Sequence, residues 1–260
     1  MEPVYSSVIA VARGVFAVQG LKFTMTGTAN VPRTGGAVMV INHTGYMDFT
    51  YAGLAAVPSG RLVRFMAKES VFTHRVSGPL MRGMRHIPVD RSAGASSFVH
   101  AVRDLRAGEI VGVFPEATIS RSFELKEFKN GAARMAREAG VPMLPTVIWG
   151  SQRVWTKGHP KRLGRTNVPI HVAIGEPVHL APGESVDEAT ARVHAVMETL
   201  LRTLQEGYPP MTGEDLRYLP ARLGGAAPTL EEATKVEDDE RREMIRRASA
   251  ERKAARPPQR

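Results

Sequence analysis

The chain has 260 residues, 43% of them hydrophobic, which suits one large α/β domain with or without appendages. It contains no cysteine, so disulfides, thiolate metal sites and a cysteine nucleophile are excluded. The net charge is +9: residues 205–260 hold 11 charges of each sign, leaving 24 of the 35 basic and 15 of the 26 acidic residues in 1–204, and a basic body favours an anionic partner. Aromatic residues are only 6%, and no RNA-binding signature or zinc-finger spacing occurs, so nucleic acid is not the expected partner.

In chain order, the first apolar stretch is VIAVARGVFAV at 8–18. It is interrupted by Arg13 and Gly14 and falls short of the roughly 20 apolar residues a membrane span needs. No basic region precedes it, as one would in a cleaved signal. It reads either as an interfacial docking helix or as a plain core helix. GGAVMVI at 35–41 predicts a buried strand, DFTYAGLAAV at 48–57 a helix ended by Pro58 and Gly60, and LVRFMA at 62–67 a second strand. SGPLMRGM reads as a short helix or loop and RHIPVD as a short strand. Phe98, Val102 and Leu105 share one face of a helix over 92–108 that Gly108 ends. EIVGVF at 109–114 is a strand running into Pro115, and 129–140 a helix with a terminal glycine. Segments 142–149 and 169–178 are strands. Residues 185–204 form the clearest helix, opened by a Ser185/Glu188 capping box and striped by Val186, Ala189, Val193, Val196, Leu200 and Leu204. Beyond Tyr208 the period disappears, and the highly charged 229–255 reads as a solvated helix or a disordered tail. Alternating strands and helices predict an α/β fold with a central, largely parallel mixed sheet flanked by helices.

Chemistry concentrates where strands end. His43 and Asp48 are five apart, too far round a regular helix to share a face. They can meet if His43 lies in a turn at 42–45, with Gly45, and Asp48 in the first turn of the next helix. An aspartate on one imidazole nitrogen fixes the tautomer and frees the other as a base. The plainer reading is a helix capped by Asn42 or Thr44 with an incidental histidine. Arg91 after HIPVD, Glu116 after VFP and Lys129 before a helix also end or follow strands, where α/β proteins build sites. Singly they read as a surface cation, a helix cap and a solvated lysine.

The order of these segments resembles the glycerolipid acyltransferase family, in particular the lysophosphatidate (1-acylglycerol-3-phosphate) acyltransferases. The family block N-H-x-x-x-x-D is matched by Asn42, His43 and Asp48. Its G-x-I-P-V-x-R block is matched by RHIPVDR except at the leading glycine, where Arg85 stands. F-P-E-G-T-R-S is matched by FPEATIS, with Ala117 for the glycine and Ile119 for the arginine. V-P-I-V-P-V is matched by Val141, Pro142 and Pro145. The resemblance covers roughly residues 20–180, and four blocks in order are far more specific than one.

The resemblance implies direct acyl transfer. His43, oriented by Asp48, would deprotonate the free glycerol hydroxyl of a lysophospholipid acceptor. The alkoxide would attack an acyl thioester donor, acyl-CoA or acyl-carrier protein, as co-substrate and not as a resident cofactor. Asn42, Lys68, Arg91, Glu116, Ala117, Thr118, Arg121 and Lys129 become the expected substrate-binding residues. Because Ile119 removes the family's phosphate cation, Arg91, Arg121, Lys68 and Lys129 are the candidates to compensate. No metal is expected, since one histidine and one carboxylate are too few for a catalytic zinc site. Residues 1–25 would dock on an anionic membrane surface, 26–205 would form the acyltransferase domain, and 206–260 a charged extension. The protein would then sit on the cytoplasmic face of the plasma membrane, peripheral or monotopic. The alternatives are an acyltransferase for another lysophospholipid or a glycolipid, and a non-catalytic module that binds anionic lipid.

Overall fold

The run AVMVI at 37–41 is apolar at every position, as a strand covered on both faces must be, and all five residues are buried. The computed structural model describes residues 2–90 and 94–254. In chain order its helices and strands are α1 Pro3–Val18, β1 Lys22–Thr26, β2 Ala37–Ile41, α2 Asp48–Ala56, β3 Val63–Lys68, α3 Glu69–Thr73, α4 Ser77–Gly83, β4 Ile87–Val89, α5 Gly94–Arg106, β5 Ile110–Val113, α6 Gly131–Ala139, β6 Met143–Trp149, β7 Pro169–Ile174, α7 Val186–Glu206 and α8 Leu230–Ala254. Residues up to Ile119 together with Leu125–Pro210 form one compact unit, which holds the whole sheet. Ser120–Glu124 and the chain from Met211 onward form a second.

The strand order is β1-β7-β6-β2-β5-β3-β4. Every neighbouring pair is parallel except β6 and β7, so the expected largely parallel sheet is the one observed. Val40 is level with Val113 of β5, and Ile41 with Thr146 of β6. The chain segments leaving β2 and β5 therefore emerge side by side at one edge of the sheet. Below them, Met39, Ile41, Tyr51, Phe65, Leu144 and Ile148 belong to one buried cluster.

Strand β1 has no counterpart in the predicted elements. It is an edge strand whose Lys22, Thr24 and Thr26 are exposed while Phe23 and Met25 are half-buried, so it carries only a short period-2 signal. In α7 the capping box is present: Ser185 Oγ accepts the Glu188 N–H at 3.1 Å, and Glu188 Oε2 accepts the Ser185 N–H at 2.7 Å. The buried stripe is Ala189, Val193, Met197, Leu201 and Leu204; the predicted Val186, Val196 and Leu200 flank it half-buried. The shift reflects an i, i+4 row that Met197 and Leu201 continue. The charged segment after 229 is helical as α8, opened by a second capping box in which Thr229 Oγ1 and Glu232 Oε2 accept each other's backbone N–H at 3.2 and 2.8 Å.

Helix α1 is integrated into the first unit. Tyr5 and Phe16 are buried, and the Tyr5 hydroxyl donates to the Val63 carbonyl at 2.8 Å. Val11, Val15 and Val18 form a separate row, 68%, 46% and 73% exposed. Among the described residues, no helix is long and apolar enough to cross a membrane.

Candidate active site

Strand β2 ends at Ile41, and Asn42 pins the adjoining turn to β6. Its Nδ2 donates to the Ile148 carbonyl at 3.0 Å and its Oδ1 accepts the Ile148 N–H at 2.7 Å. Asn42 is only 1% exposed. Its carboxamide is thus bonded to the sheet and anchors the turn. Gly45 lies in this turn, as expected, and the neighbouring chain explains why it is a glycine. A Cβ there would lie 2.4 Å from Ser151 Oγ, so the glycine permits close approach of the two segments.

The turn delivers Asp48 to the first position of α2, where its negative charge is favoured by the helix N-terminus. Asp48 is fully buried, and one oxygen is surrounded by donors. Oδ2 accepts the Thr44 and Gly45 N–H groups, each at 2.8 Å, and lies 3.0 Å from His43 Nδ1. An ionised carboxylate offers only lone pairs, so the proton between them belongs to Nδ1 and the opposite nitrogen, Nε2, carries the free lone pair. The imidazole is 20% exposed and stacks on Phe114, ring centres 4.2 Å apart at 26°.

Glu116 holds this turn from β5. Its Oε1 accepts the His43 N–H at 2.8 Å and its Oε2 the Lys126 N–H at 3.2 Å. Burial pushes the Glu116 carboxyl up to about 8, against the downward pull of these two donors and of the Lys126 charge. Ala117 comes next, in the left-handed region at φ 62°, its N–H closing a turn on the Phe114 carbonyl at 3.1 Å. Thr118 is exposed, and its Oγ1 accepts a hydrogen bond from Lys126 Nζ. Ile119 is 5% exposed, so the position where the resembled family carries arginine points inward here.

The remaining expected residues are dispersed. Lys68 is exposed at the end of β3, level with Val89 of β4 and on the same sheet edge as His43. The Lys129 side chain is exposed, and its backbone N–H is tied to the Pro115 carbonyl at 3.1 Å. Arg121 belongs to the second unit and is paired there with Glu240. Arg91 lies outside the described residues. Two further neighbours of the turn, Phe114 and Lys126, are not among the expected site residues, although Phe114 is matched in the FPEATIS block. Lys126 carries no signal, because its tie to Glu116 runs through the backbone.

Comparisons with known proteins place the chain among acyltransferase relatives. A family model described as Acyltransferase matches residues 22–149. A 1-acyl-sn-glycerol-3-phosphate acyltransferase of Bacillus subtilis (strain 168) is 29% identical over 181 residues, covering 68% of this chain and 83% of that protein. A relative of the same description from Borreliella burgdorferi is 30% identical over 159 residues, covering 59% of this chain and 61% of its own length. The crystal structure of the 1-acyl-sn-glycerophosphate (LPA) acyltransferase PlsC from Thermotoga maritima superposes with a TM-score of 0.61 over 76% of this chain and 81% of that one. At 22% identity that likeness is one of fold.

Proposed function

Since the chain belongs to the acyltransferase family, we propose that it is a 1-acylglycerol-3-phosphate O-acyltransferase, which moves a fatty acyl group from a thioester to lysophosphatidate and yields phosphatidate. The observation that carries this reading is the 3.0 Å contact of His43 Nδ1 with the buried Asp48, which leaves Nε2 as the acceptor for a substrate proton.

His43 Nε2 takes the proton from the free glycerol hydroxyl as its oxygen attacks the thioester carbonyl of acyl-CoA or acyl-carrier protein. Asp48 keeps the ring in the required tautomer and stabilises the imidazolium that forms. The tetrahedral intermediate collapses, and the imidazolium returns the proton to the departing thiolate. Proton transfer of this kind contributes typically about 10²–10⁴-fold. Glu116 keeps the His43 backbone in place, and Phe114 supports the ring. Lys68, Arg91 and Lys129 are the cations assigned to the acceptor phosphate, where a guanidinium fork or an ammonium suits the oxygens. The exposed Val11, Val15 and Val18 row and the basic body favour peripheral docking on an anionic membrane, assigned to the cytoplasmic face of the plasma membrane.

Ile119 favours a second reading. An inward-facing isoleucine leaves the phosphate one cation short of the resembled family, so a lysophospholipid with a substituted head group is the alternative acceptor. Thiol release measured over a panel of acceptors separates the two. The largest kcat/KM is expected with lysophosphatidate. A preference for an acceptor whose phosphate bears a head group would replace the first reading with the second.

A further inference from the structure

Between Glu138 and Glu176 the chain has no acidic residue and five Lys or Arg. Within this stretch, residues 151–167 bridge two places. At one end the bridge is bonded to the turn that carries His43. The Trp155 carbonyl accepts the Tyr46 N–H at 2.9 Å, and Thr156 Oγ1 donates to the Thr44 carbonyl at 2.6 Å. At the other end it is bonded to the residue that closes α1. The Gln19 carbonyl accepts the N–H groups of Thr166 and Asn167 at 2.9 and 3.1 Å, and Gln19 Nε2 donates to the Leu163 carbonyl at 3.1 Å. Gly20 makes this junction tight: a Cβ there would meet Asn167 Oδ1 at 2.3 Å.

The outside of the bridge is both aromatic and basic. Tyr46 is 42% exposed and packs against Trp155 at a 39° tilt, with ring centres 4.8 Å apart. Lys161 Nζ lies 4.4 Å from the centre of the same indole. Leu163 is 47% exposed, Lys161 and Arg165 are exposed, and Val18, next in the chain to the Gln19 that the bridge holds, is exposed too. Tyrosine and tryptophan flanked by lysine and arginine suit the headgroup layer of a bilayer, where apolar ring bodies and wet polar tips are both satisfied. A soluble donor carrying a nucleotide would instead need an open ring face for its base. Here Tyr46 and Lys161 both pack against the Trp155 ring.

We infer that residues 155–165, with Tyr46 and the end of α1, form a basic aromatic contact that seats on anionic lipid headgroups and holds the His43 turn at the bilayer surface. The inference rests on the lipid-acceptor reading of the site. It adds the surface that presents that site to its acceptor. The contact is charge-selective, unlike the valine row of α1, and rigidly tied to the turn that bears the proposed base.

The test is sedimentation of the full chain and of its Lys161→Gln/Arg165→Gln variant with two kinds of vesicle: phosphatidylcholine alone, and phosphatidylcholine mixed with phosphatidylglycerol. Removing a cation from an anionic surface weakens binding roughly fivefold, so the double variant should partition about twenty-five-fold less onto mixed vesicles. Its partition onto phosphatidylcholine, and its turnover of a short-chain acceptor dispersed as monomers, should match the parent. Equal partition of the two proteins onto mixed vesicles would overturn the inference. So would lost turnover of the monomeric acceptor with vesicle binding intact, since the bridge would then hold a substrate phosphate. Sedimentation needs no turnover. A parent protein that shows the charge-dependent binding but transfers no acyl group would leave the surface standing and remove the enzymatic reading.

Discussion

Arg85 and Ala117 both sit in the left-handed region, at φ 57° and 62°, and both occupy positions where the resembled family carries glycine. At Arg85 the cause is the end of α4: the His86 N–H reaches back to the Met81 carbonyl at 3.0 Å and the Arg85 N–H to Arg82 at 2.9 Å, a closure that favours glycine. At Ala117 the cause is the turn that aims Glu116 at His43. An L-residue in this region costs roughly 1–2 kcal/mol, part of which a glycine returns through its freer unfolded state. Ala117→Gly should therefore stabilise the protein by about 0.5–1 kcal/mol, read as a higher urea midpoint at unchanged slope. A lower midpoint would show that the turn is not strained. Ile119 carries the opposite lesson. Restoring the family arginine there would push a charge into a site only 5% exposed, so Ile119→Arg should cost about 3 kcal/mol in the same assay and should not improve use of lysophosphatidate. From the sequence these three positions are visible only as departures from a pattern; their backbone angles and burial come from contacts the motifs do not encode.

The start of α1, strand β3 and the residues just before β4 and β5 meet around a buried arginine. Arg64, 3% exposed, donates to Glu2 at 2.8 Å and to Glu109 at 3.1 Å, while His86 Nδ1 accepts the Phe65 N–H at 3.1 Å. Burial, reinforced by the nearby Arg64 charge, pushes the His86 imidazole down to about 4, so the folded protein keeps it neutral. A group depressed in the fold contributes stability that is present above its ordinary value of 6.5 and is lost as pH falls through about 4. The full shift corresponds to about 3 kcal/mol at most. Melting temperature should fall as pH drops from 6.5 toward 4, and the fall should be shallower in His86→Asn, whose Oδ1 can accept the same N–H without titrating. Equal slopes would place the acid sensitivity elsewhere. At this scale the strong periodic signals are readable: β2, β5, β6, α2, α5 and α6 lie where the pattern puts them. The edge strand β1 escapes the pattern because alternating Lys-Phe-Thr-Met-Thr buries so little. The helical state of α8 is legible in Thr229 and Glu232, a capping pair that its charged sequence obscures.

At the scale of the whole molecule, the site is gathered from segments far apart in the chain. His43 and Glu116 are 73 residues apart and touch because β2 and β5 are neighbours in the sheet. The four sequence blocks predict that these residues act together; the strand order explains how, and it assigns Asn42 to holding the turn. The basic excess lies in residues 1–204, which hold the sheet, the His43 turn and both surfaces proposed to face the membrane, whereas residues 205–260 are balanced in charge. Attraction to an anionic bilayer is therefore expected on the part of the chain that carries the chemistry. The most direct test of the central claim is thiol release from acyl-CoA in the presence of lysophosphatidate, comparing the parent chain with His43→Ala at matched melting temperature. If His43 is the base that Asp48 orients, turnover should drop by about 10²–10⁴-fold. Undiminished turnover in His43→Ala would contradict the mechanism.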